Sequence, residues 1–301
     1  MDVISYKGWE TCYRLTNGTV ELVVTGDVGP RVIRFGFVDD ANEFWEAPDL
    51  LGKTGGDAWV NYGGHRLWHA PEAEPRTYAP DNAPVTSVEE REDFVRFVQP
   101  VESSTGIGKA LDISLDLEAA RVTVTHRLRN TNLWAVELAP WALSVMAPGG
   151  TAVIPLPPRG PHPENLAPNS RLVLWAYTDM TDPRWTWGER FVLLRQDPGA
   201  AKPQKIGAFV PDGWAAYVRD EHLFLKTFDV AEGDYPDLGA NVETFTNTKM
   251  LELETLAPLV KLAPGAEATY VEHWRLFDGV PTPASDEDVA REVLPLVRQR
   301  I

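Results

Sequence analysis

Strict alternation of apolar and polar residues marks the middle of the chain. Residues 111–117 alternate at every position, and residues 122–128 do so except where His126 takes an apolar position. A period of two is typical of a strand with one buried face. Residues 134–146 are instead mostly apolar. This run predicts a long strand that is buried on both faces.

The rest of the chain predicts many short strands and one late helix. Asn17-Gly18 lies between two β-rich runs, which predicts a hairpin closed by a type I′ turn. Ser285, followed by three acidic residues, predicts a helix over about 285–299, and Pro295 is expected to kink it or end it early. Neither a Gly-rich phosphate loop nor a βαβ alternation is found. The pattern is that of an all-β sandwich or barrel.

Residues 148–169 are rich in Pro and Gly and allow two interpretations. They could form a linker between two domains. They also contain extended apolar pieces such as Val153-Ile154 and lead directly into another apolar run. We therefore interpret them as a long ordered loop over the sheet, and residues 1–301 as a single domain with a C-terminal helix.

Composition narrows the class of protein. The chain has 301 residues, 44% of them hydrophobic, which is enough for a large core. The formal net charge of −16 argues against binding to nucleic acid or to anionic membranes. No apolar run approaches the roughly 20 residues that span a bilayer, and the first residues lack a signal-peptide pattern. With Cys12 as its single cysteine, the chain is predicted to be cytoplasmic and free of internal disulfides.

The densest group of polar and aromatic residues is at 61–72. Eleven tryptophans in the chain indicate either an aromatic core or aromatic platforms for a ligand. This segment adds a Gly pair and side chains that bond sugar hydroxyls, so we interpret it as a carbohydrate-binding segment with the candidate residues His65, Arg66, Trp68, His69 and Glu72. The alternative is a well-bonded structural loop.

His65 and His69 have the spacing of a zinc motif, but their surroundings argue against one. Arg66 stands where a metalloprotease carries its Glu base. The preceding Gly pair and the following Pro71 disfavour a helix, and in an extended segment the two rings lie roughly 13 Å apart. We therefore predict no metal and no other cofactor.

A second group of candidates lies late in the chain. Alternation puts Asn241, Glu243 and Phe245 on one strand face, where partial burial would raise the pKa of Glu243 toward that of a general base. A salt bridge is the alternative, and Lys226 is a candidate partner. Glu252 and Glu254 also share a face, about 7 Å apart, which suits either a glycosidase pair or two solvent-facing acids.

Four segments resemble the galactose-mutarotase-like (aldose epimerase-like) superfamily. They read YGGHRLWHAPE, VTHRLRNTNLWAVELAPWALSVMAPGG, YPDLGANVETFTN and LELETLAPLVKLAPGAEATYVEHWRL, and the resemblance spans most of the chain. It implies an all-β supersandwich. Epimerases of this superfamily use a His as acid and a Glu as base. Their middle strand carries the catalytic His, whereas here Trp141 occupies the approximate place.

Two hypotheses follow from the residues and the resemblance together. One is an aldose epimerase or mutarotase with Glu243 as base and His65 or Lys226 as acid. The other is a non-catalytic sugar-binding protein that uses aromatic platforms, with the binding residues Arg66, Trp68, His69, Glu72, Trp141, Tyr235 and Asn241. Both expect a small carbohydrate as partner and leave the oligomeric state open. Both also expect the candidates from distant segments to meet in one concave site, namely His65, Arg66, Glu72, Trp141, Lys226 and Glu243.

Overall fold

A computed structural model describes residues 1–299 of the chain, which consist mainly of short strands. In chain order the first strands are β1 (Asp2–Tyr6), β2 (Trp9–Thr16), β3 (Val20–Thr25), β4 (Val32–Phe37), β5 (Gly64–Ala70), β6 (Ser87–Glu90), β7 (Val95–Val98), β8 (Ile107–Leu115), β9 (Arg121–Asn130), β10 (Val136–Met146) and β11 (Thr151–Pro155). The remaining strands are β12 (Leu172–Leu174), β13 (Trp185–Trp187), β14 (Phe191–Arg195), β15 (Gln204–Ala208), β16 (Trp214–Arg219), β17 (His222–Phe228), β18 (Val242–Thr246), β19 (Leu251–Leu256), β20 (Val260–Leu262) and β21 (Glu267–Phe277).

These strands form two sheets, and every pairing within residues 1–299 is antiparallel. The first sheet has the order β1-β2-β3-β4-β5-β10-β19-β18-β15-β12, and β20 also pairs with β10. The second has the order β13-β14-β11-β16-β17-β21-β9-β8-β7-β6. The two sheets enclose a common core, in which Phe35 of the first sheet lies 5.9 Å from Trp274 of the second, centroid to centroid. The predicted all-β sandwich is thus confirmed.

The hydrophobic pattern explains which faces are buried. Along β9 the apolar positions and His126 are buried, while the residues between them are half-exposed or exposed. In β10 every residue from Leu138 to Met146 is buried, because this strand lies inside the sheet between β5 and β19. Within residues 148–169, which were predicted to be a loop, Thr151–Pro155 instead form the buried strand β11. The segment from there to β12 is mostly exposed and irregular.

The first hairpin has a different turn from the predicted one. Asn17 N–H donates to the Val20 carbonyl, so Gly18 and Thr19 are the central residues of the turn. Gly18 has φ = 86°, but Asn17 does not adopt the positive φ that a type I′ turn needs at both central positions. The Asn17 side chain instead accepts the N–H groups of Thr19 and Val20. The type I′ prediction was wrong because this side chain holds the turn one residue further along.

The C-terminal helix begins where the sequence predicts and changes pitch before its proline. Ser285 is the N-cap, and its side chain accepts the Asp288 N–H. The helix runs through α1 (Asp286–Asp288), a π-helical turn (Val289–Val293) and α2 (Leu294–Val297). The wider turn precedes Pro295, which therefore starts a new α-helical turn instead of ending the helix. No helix in residues 1–299 is long and apolar enough to cross a membrane.

Candidate functional site

Five neighbouring strands of the first sheet carry a pocket on the face that points away from the second sheet. They are β5, β10, β19, β18 and β15. Antiparallel register aligns Trp68 with Trp141, and Lys205 with Phe245. Successive residues of a strand point to opposite faces. Arg66 and Trp68 therefore face the pocket, while their neighbour Leu67 packs into the core between the sheets.

Aromatic side chains make up half of the residues that line the pocket. We call it the aromatic pocket; it has a volume of about 440 Å³ and is lined by Trp59, Trp68, Tyr78, Trp141, Trp175, Tyr177, Phe245, Arg66, Lys205, Glu72 and Glu252, with Asn61, Leu143 and Met250. Several rings meet edge to face, such as Trp68 and Trp141 at 5.4 Å between centroids. Such contacts fix the ring orientations and leave flat apolar surfaces toward the cavity.

Arg66 is held by a carboxylate and by two tryptophans. Its Nη2 donates to Glu252 Oε1 at 3.1 Å, and the Asn61 side chain donates to the same oxygen at 3.4 Å. The guanidinium carbon lies 4.6 Å from the Trp68 ring centroid and 5.3 Å from that of Trp59. Within residues 1–299, Arg66 Nε and Nη1 have no hydrogen-bond partner. Both nitrogens have almost no accessible surface, so Arg66 presents little of its guanidinium to the cavity.

Lys205 lies between two buried carboxyl groups. Its Nζ is 2.8 Å from Glu243 Oε2 and 3.2 Å from Glu254 Oε2. The same ammonium lies 5.0 Å from the Trp141 centroid and 4.7 Å from that of Trp175. Trp141 Nε1–H also donates to Glu254 Oε2 at 2.9 Å. Lys205 lines the pocket, whereas the side chains of Glu243 and Glu254 are fully buried beneath it.

Burial makes this Glu–Lys–Glu triad electrostatically unusual. Burial raises the pKa of Glu243 well above its ordinary value. The nearby Lys205 opposes this shift, and the Glu254 carboxylate adds to it. Burial likewise raises the pKa of Glu254. Burial alone would lower the pKa of Lys205, but the two carboxylates raise it well above its usual range. Lys205 therefore stays charged, and the two carboxyl groups retain protons more readily than free glutamic acids do.

The two predicted acids are not in this pocket. His65 and Lys226 both lie between the sheets, with no exposed side-chain surface. Lys226 Nζ is 2.8 Å from Glu272 Oε1, and His65 Nε2 is 2.7 Å from His126 Nε2. The expectation that they converge with Glu243 was wrong, because strand alternation turns His65 to the opposite face from Arg66.

This buried polar cluster satisfies its own hydrogen bonds. His126 Nδ1–H donates to the Tyr270 carbonyl, so its Nε2 accepts from His65, whose Nδ1 accepts from Ser144 Oγ–H. Glu272 accepts from Trp274 Nε1–H at 2.8 Å and from the Thr255 hydroxyl, in addition to Lys226. Burial lowers the pKa of both His65 and His126, with Lys226 adding to each shift. The rings are therefore held neutral.

The same cluster brings together three residues of metal-ligating type. One atom each of His65, His126 and Glu272 lies within 4.8 Å of the others. Each of these atoms already has a partner, and the Lys226 ammonium on Glu272 would repel a cation. His65 and His69, the pair with zinc-motif spacing, bond to different groups, since His69 Nε2 lies 3.2 Å from Glu102 Oε2. These contacts fit a structural role.

The other predicted binding residues divide into two groups. Arg66, Trp68, Glu72 and Trp141 line the aromatic pocket. His69, Tyr235 and Asn241 do not line it. Tyr235 donates its hydroxyl to the Ala231 carbonyl at 2.8 Å, and the Asn241 side chain bonds both backbone groups of Val210. Both residues are thereby committed to local backbone structure, so their predicted contact with ligand has no support in the pocket geometry.

Sequence reasoning missed several pocket residues. Lys205 is the charged residue in the otherwise neutral strand Gln204–Ala208, which was a usable signal for a buried ion pair. Trp59, Tyr78, Trp175 and Tyr177 lie in loops, where no periodic pattern indicates which way a ring points. Strand alternation does place Glu252 and Glu254 on one face. Their partners, Arg66 and Lys205, come from distant strands and could not be assigned.

Comparison with solved structures agrees with this architecture. A galactose mutarotase-like protein from Lactobacillus casei matches with a TM-score of 0.56 and 11% identity, covering 88% of this chain and 100% of that one. A galactose mutarotase related enzyme from Lactobacillus acidophilus matches with a TM-score of 0.55 and 11% identity, covering 91% and 100%. The chain therefore has the galactose mutarotase-like β-sandwich fold, and the resemblance noted from sequence is confirmed at the level of the fold.

A larger protein contains a similar unit. A TPR-domain containing protein from Parabacteroides distasonis matches with a TM-score of 0.61 and 14% identity over 90% of this chain. The chain spans about half of that protein, 48% of its length. No protein-family model and no curated protein sequence matches the chain. At these identities the likeness establishes the fold, and the function has to be argued from the pocket itself.

Proposed function

We propose that this protein binds a monosaccharide-sized carbohydrate in the aromatic pocket. The observation that carries the proposal is the combination of flat aromatic walls with fixed polar groups in one cavity of about 440 Å³. Cavities of about 300–1,000 Å³ are typical of small-molecule sites. The aromatic faces suit the C–H groups of a pyranose ring, and the polar groups suit its hydroxyls.

The polar groups in the pocket offer both kinds of hydrogen bond that a sugar hydroxyl needs. The Lys205 ammonium and the Tyr177 hydroxyl belong to residues that line the pocket and supply donors. Glu252 and Glu72 supply carboxylate acceptors at the wall and rim.

A second candidate function is an isomerase of the aldose epimerase type. The buried triad of Glu243, Lys205 and Glu254 favours it, because ring opening needs one group that takes the proton of the anomeric hydroxyl and one that protonates the ring oxygen. Two carboxyl groups with raised pKa values could divide these roles. Both are covered by the pocket floor, so the geometry favours binding over turnover.

Calorimetric titration with aldoses of the gluco, galacto and manno series tests the binding proposal. We expect binding to at least one of these sugars by wild-type protein. The variant Trp175→Ala should weaken it about tenfold or more, because the half-buried Trp175 is a wall of the pocket. The matched control is Trp134→Ala, since Trp134 is 64% exposed and lies outside the pocket. Equal losses in both variants, or no binding at all, would refute the proposal.

Exchange NMR on the same samples tests the isomerase version. If the protein is an isomerase, wild type should speed anomerisation of the bound sugar, and Glu243→Gln should slow that step by roughly 10²–10⁴-fold while binding changes little. A wild-type protein that binds a sugar without speeding its anomerisation eliminates this version and leaves the binding proposal intact.

A further inference from the structure

The charges around the aromatic pocket are unequal in number. Two cations, Arg66 and Lys205, face four carboxyl groups, namely Glu72, Glu243, Glu252 and Glu254. Glu72 and Glu252 alone balance the two cations, so the site is negative whenever Glu243 or Glu254 is ionised. The chain as a whole carries a formal charge of −16, which adds to the same field.

Both cations are already paired inside the protein. Arg66 Nη2 lies 3.1 Å from Glu252 Oε1, and Lys205 Nζ lies within 3.2 Å of both Glu243 and Glu254. An anionic ligand would have to displace a protein carboxylate from one of them. It would also bring its own charge close to four carboxyl groups in a poorly solvated cavity, which costs more than the same approach in water.

Glu243 and Glu254 act on a ligand through their electric field alone, because their side chains are fully buried. Oε1 of each has no hydrogen-bond partner within residues 1–299 and almost no accessible surface. The negative surroundings also act on Tyr177 in the pocket wall. Burial raises the pKa of Tyr177 to about 12, although the Lys205 ammonium opposes this shift. The carboxylates of Glu254, Glu72 and Glu243 add to it. The cavity therefore disfavours an additional negative charge at its wall.

The tryptophan faces in this pocket already interact with positive charge. Lys205 lies over Trp141 and Trp175, while Arg66 lies over Trp68 and Trp59. The faces of aromatic rings attract cations, most strongly for tryptophan. The same walls that suit a pyranose ring therefore also suit an ammonium group attached to it.

We infer that the aromatic pocket selects basic sugars: an amino sugar binds more tightly than the neutral sugar of the same ring, and the neutral sugar more tightly than the uronic acid or the sugar phosphate. This inference rests on the proposed function, because it names the chemical class of ligand for the same pocket. The selection comes from fixed negative charge and from the internal pairing of both cations.

A matched series of ligands tests the inference. We would titrate wild-type protein at pH 7 with glucosamine, glucose, glucuronic acid and glucose 6-phosphate, and with the corresponding galacto and manno series. We expect the amino sugar to bind about tenfold more tightly than the uronate of the same series. Raising the salt concentration should narrow that difference, because screening weakens the field at the exposed rim.

The variant Glu72→Gln tests the electrostatic cause. Glu72 is exposed at the pocket rim and bonds to the Tyr78 hydroxyl, so its amide keeps the shape and loses the charge. We expect the preference for the amino sugar over the neutral sugar to fall about threefold. The control Glu118→Gln removes an exposed carboxylate in the turn between β8 and β9 and should leave the preference unchanged.

The outcomes separate the inference from the proposed function. Uronates or sugar phosphates that bind as tightly as the neutral sugar would overturn the inference while the carbohydrate pocket stands. An equal shift in Glu72→Gln and Glu118→Gln would also overturn it, since the preference would then come from overall charge. If no sugar of any series binds, the proposed function fails and the inference fails with it.

Discussion

His65 and Arg66 are neighbours in β5, yet their side chains lie on opposite faces of the first sheet. His65 Nε2 bonds to His126 at 2.7 Å in the core between the sheets. Arg66 Nη2 bonds to Glu252 at 3.1 Å in the aromatic pocket. A substitution at His65 therefore tests the stability of the fold, whereas one at Arg66 tests the pocket.

Removing the charge of Glu272 should destabilise the protein strongly. The variant Glu272→Gln leaves the Lys226 ammonium buried without its carboxylate, which typically costs about 3–5 kcal/mol. Denaturant unfolding measures the loss. The control Glu267→Gln, on the same strand and 37% exposed, should cost less than about 1 kcal/mol. Adding Lys226→Met to Glu272→Gln should recover part of the loss, and no recovery would show that the ion pair is not its cause.

Acidification should destabilise the fold partly through His65. Burial lowers the pKa of His65 well below its ordinary value of 6.5, so below pH 6.5 the unfolded chain binds a proton that the folded protein excludes. Stability therefore falls as the pH drops from 6.5 toward the folded-state pKa. In His65→Asn the fall should be shallower by up to about 1.4 kcal/mol per pH unit. The exposed His162→Asn is the control, and an unchanged slope in His65→Asn would contradict the assignment.

Much of the fold was predictable because many strands bury one face. In β9, His126 occupies an apolar position and proves to be buried with the apolar residues of that strand. In β5 all seven residues are buried, so no alternation marks which face lines the aromatic pocket. Sequence alone could not separate His65 from Arg66 for this reason. That residues 1–301 form a single domain and that the protein is cytoplasmic remain predictions.

The partners within the pocket were unpredictable for a different reason. Lys205 meets Glu243 because β15 pairs with β18, and it meets Glu254 because β18 pairs with β19. Cross-strand register of this kind depends on the packing of the whole sheet, and no local pattern encodes it. Trp175 approaches Lys205 from a loop, where side-chain direction has no period.

Loss of Lys205 should make stability depend on pH through two carboxyl groups. In Lys205→Met, Glu243 and Glu254 are buried without a cation, and their pKa values, already raised by burial, should rise further. Carboxyl groups with raised folded-state pKa values favour the fold at low pH and lose that contribution as the pH rises through those values. We expect the loss relative to wild type to be several kcal/mol at pH 8 and clearly smaller at pH 5, as measured by urea unfolding. The triple variant with Glu243→Gln and Glu254→Gln should abolish this pH dependence; its persistence there would exclude the carboxyl groups as the cause.

Cys12 should react with thiol reagents only when the protein opens. Its side chain is fully buried, and burial raises the pKa of the thiol to about 11. The thiolate is the reactive form, so both access and ionisation oppose reaction in the folded state. Labelling with a maleimide at pH 7 should be slow without urea and should accelerate across the unfolding transition. Fast labelling of the native protein would contradict the buried position.

The aromatic pocket also links ligand binding to the whole chain, because its parts come from far apart in sequence. Arg66 and the Glu252 carboxylate that holds it are 186 positions apart. No short fragment contains both, so a ligand of this pocket recognises the folded chain and has no comparable site on the unfolded one. Occupancy must then raise the melting temperature by mass action, and thermal shift becomes a direct screen for ligands of the aromatic pocket.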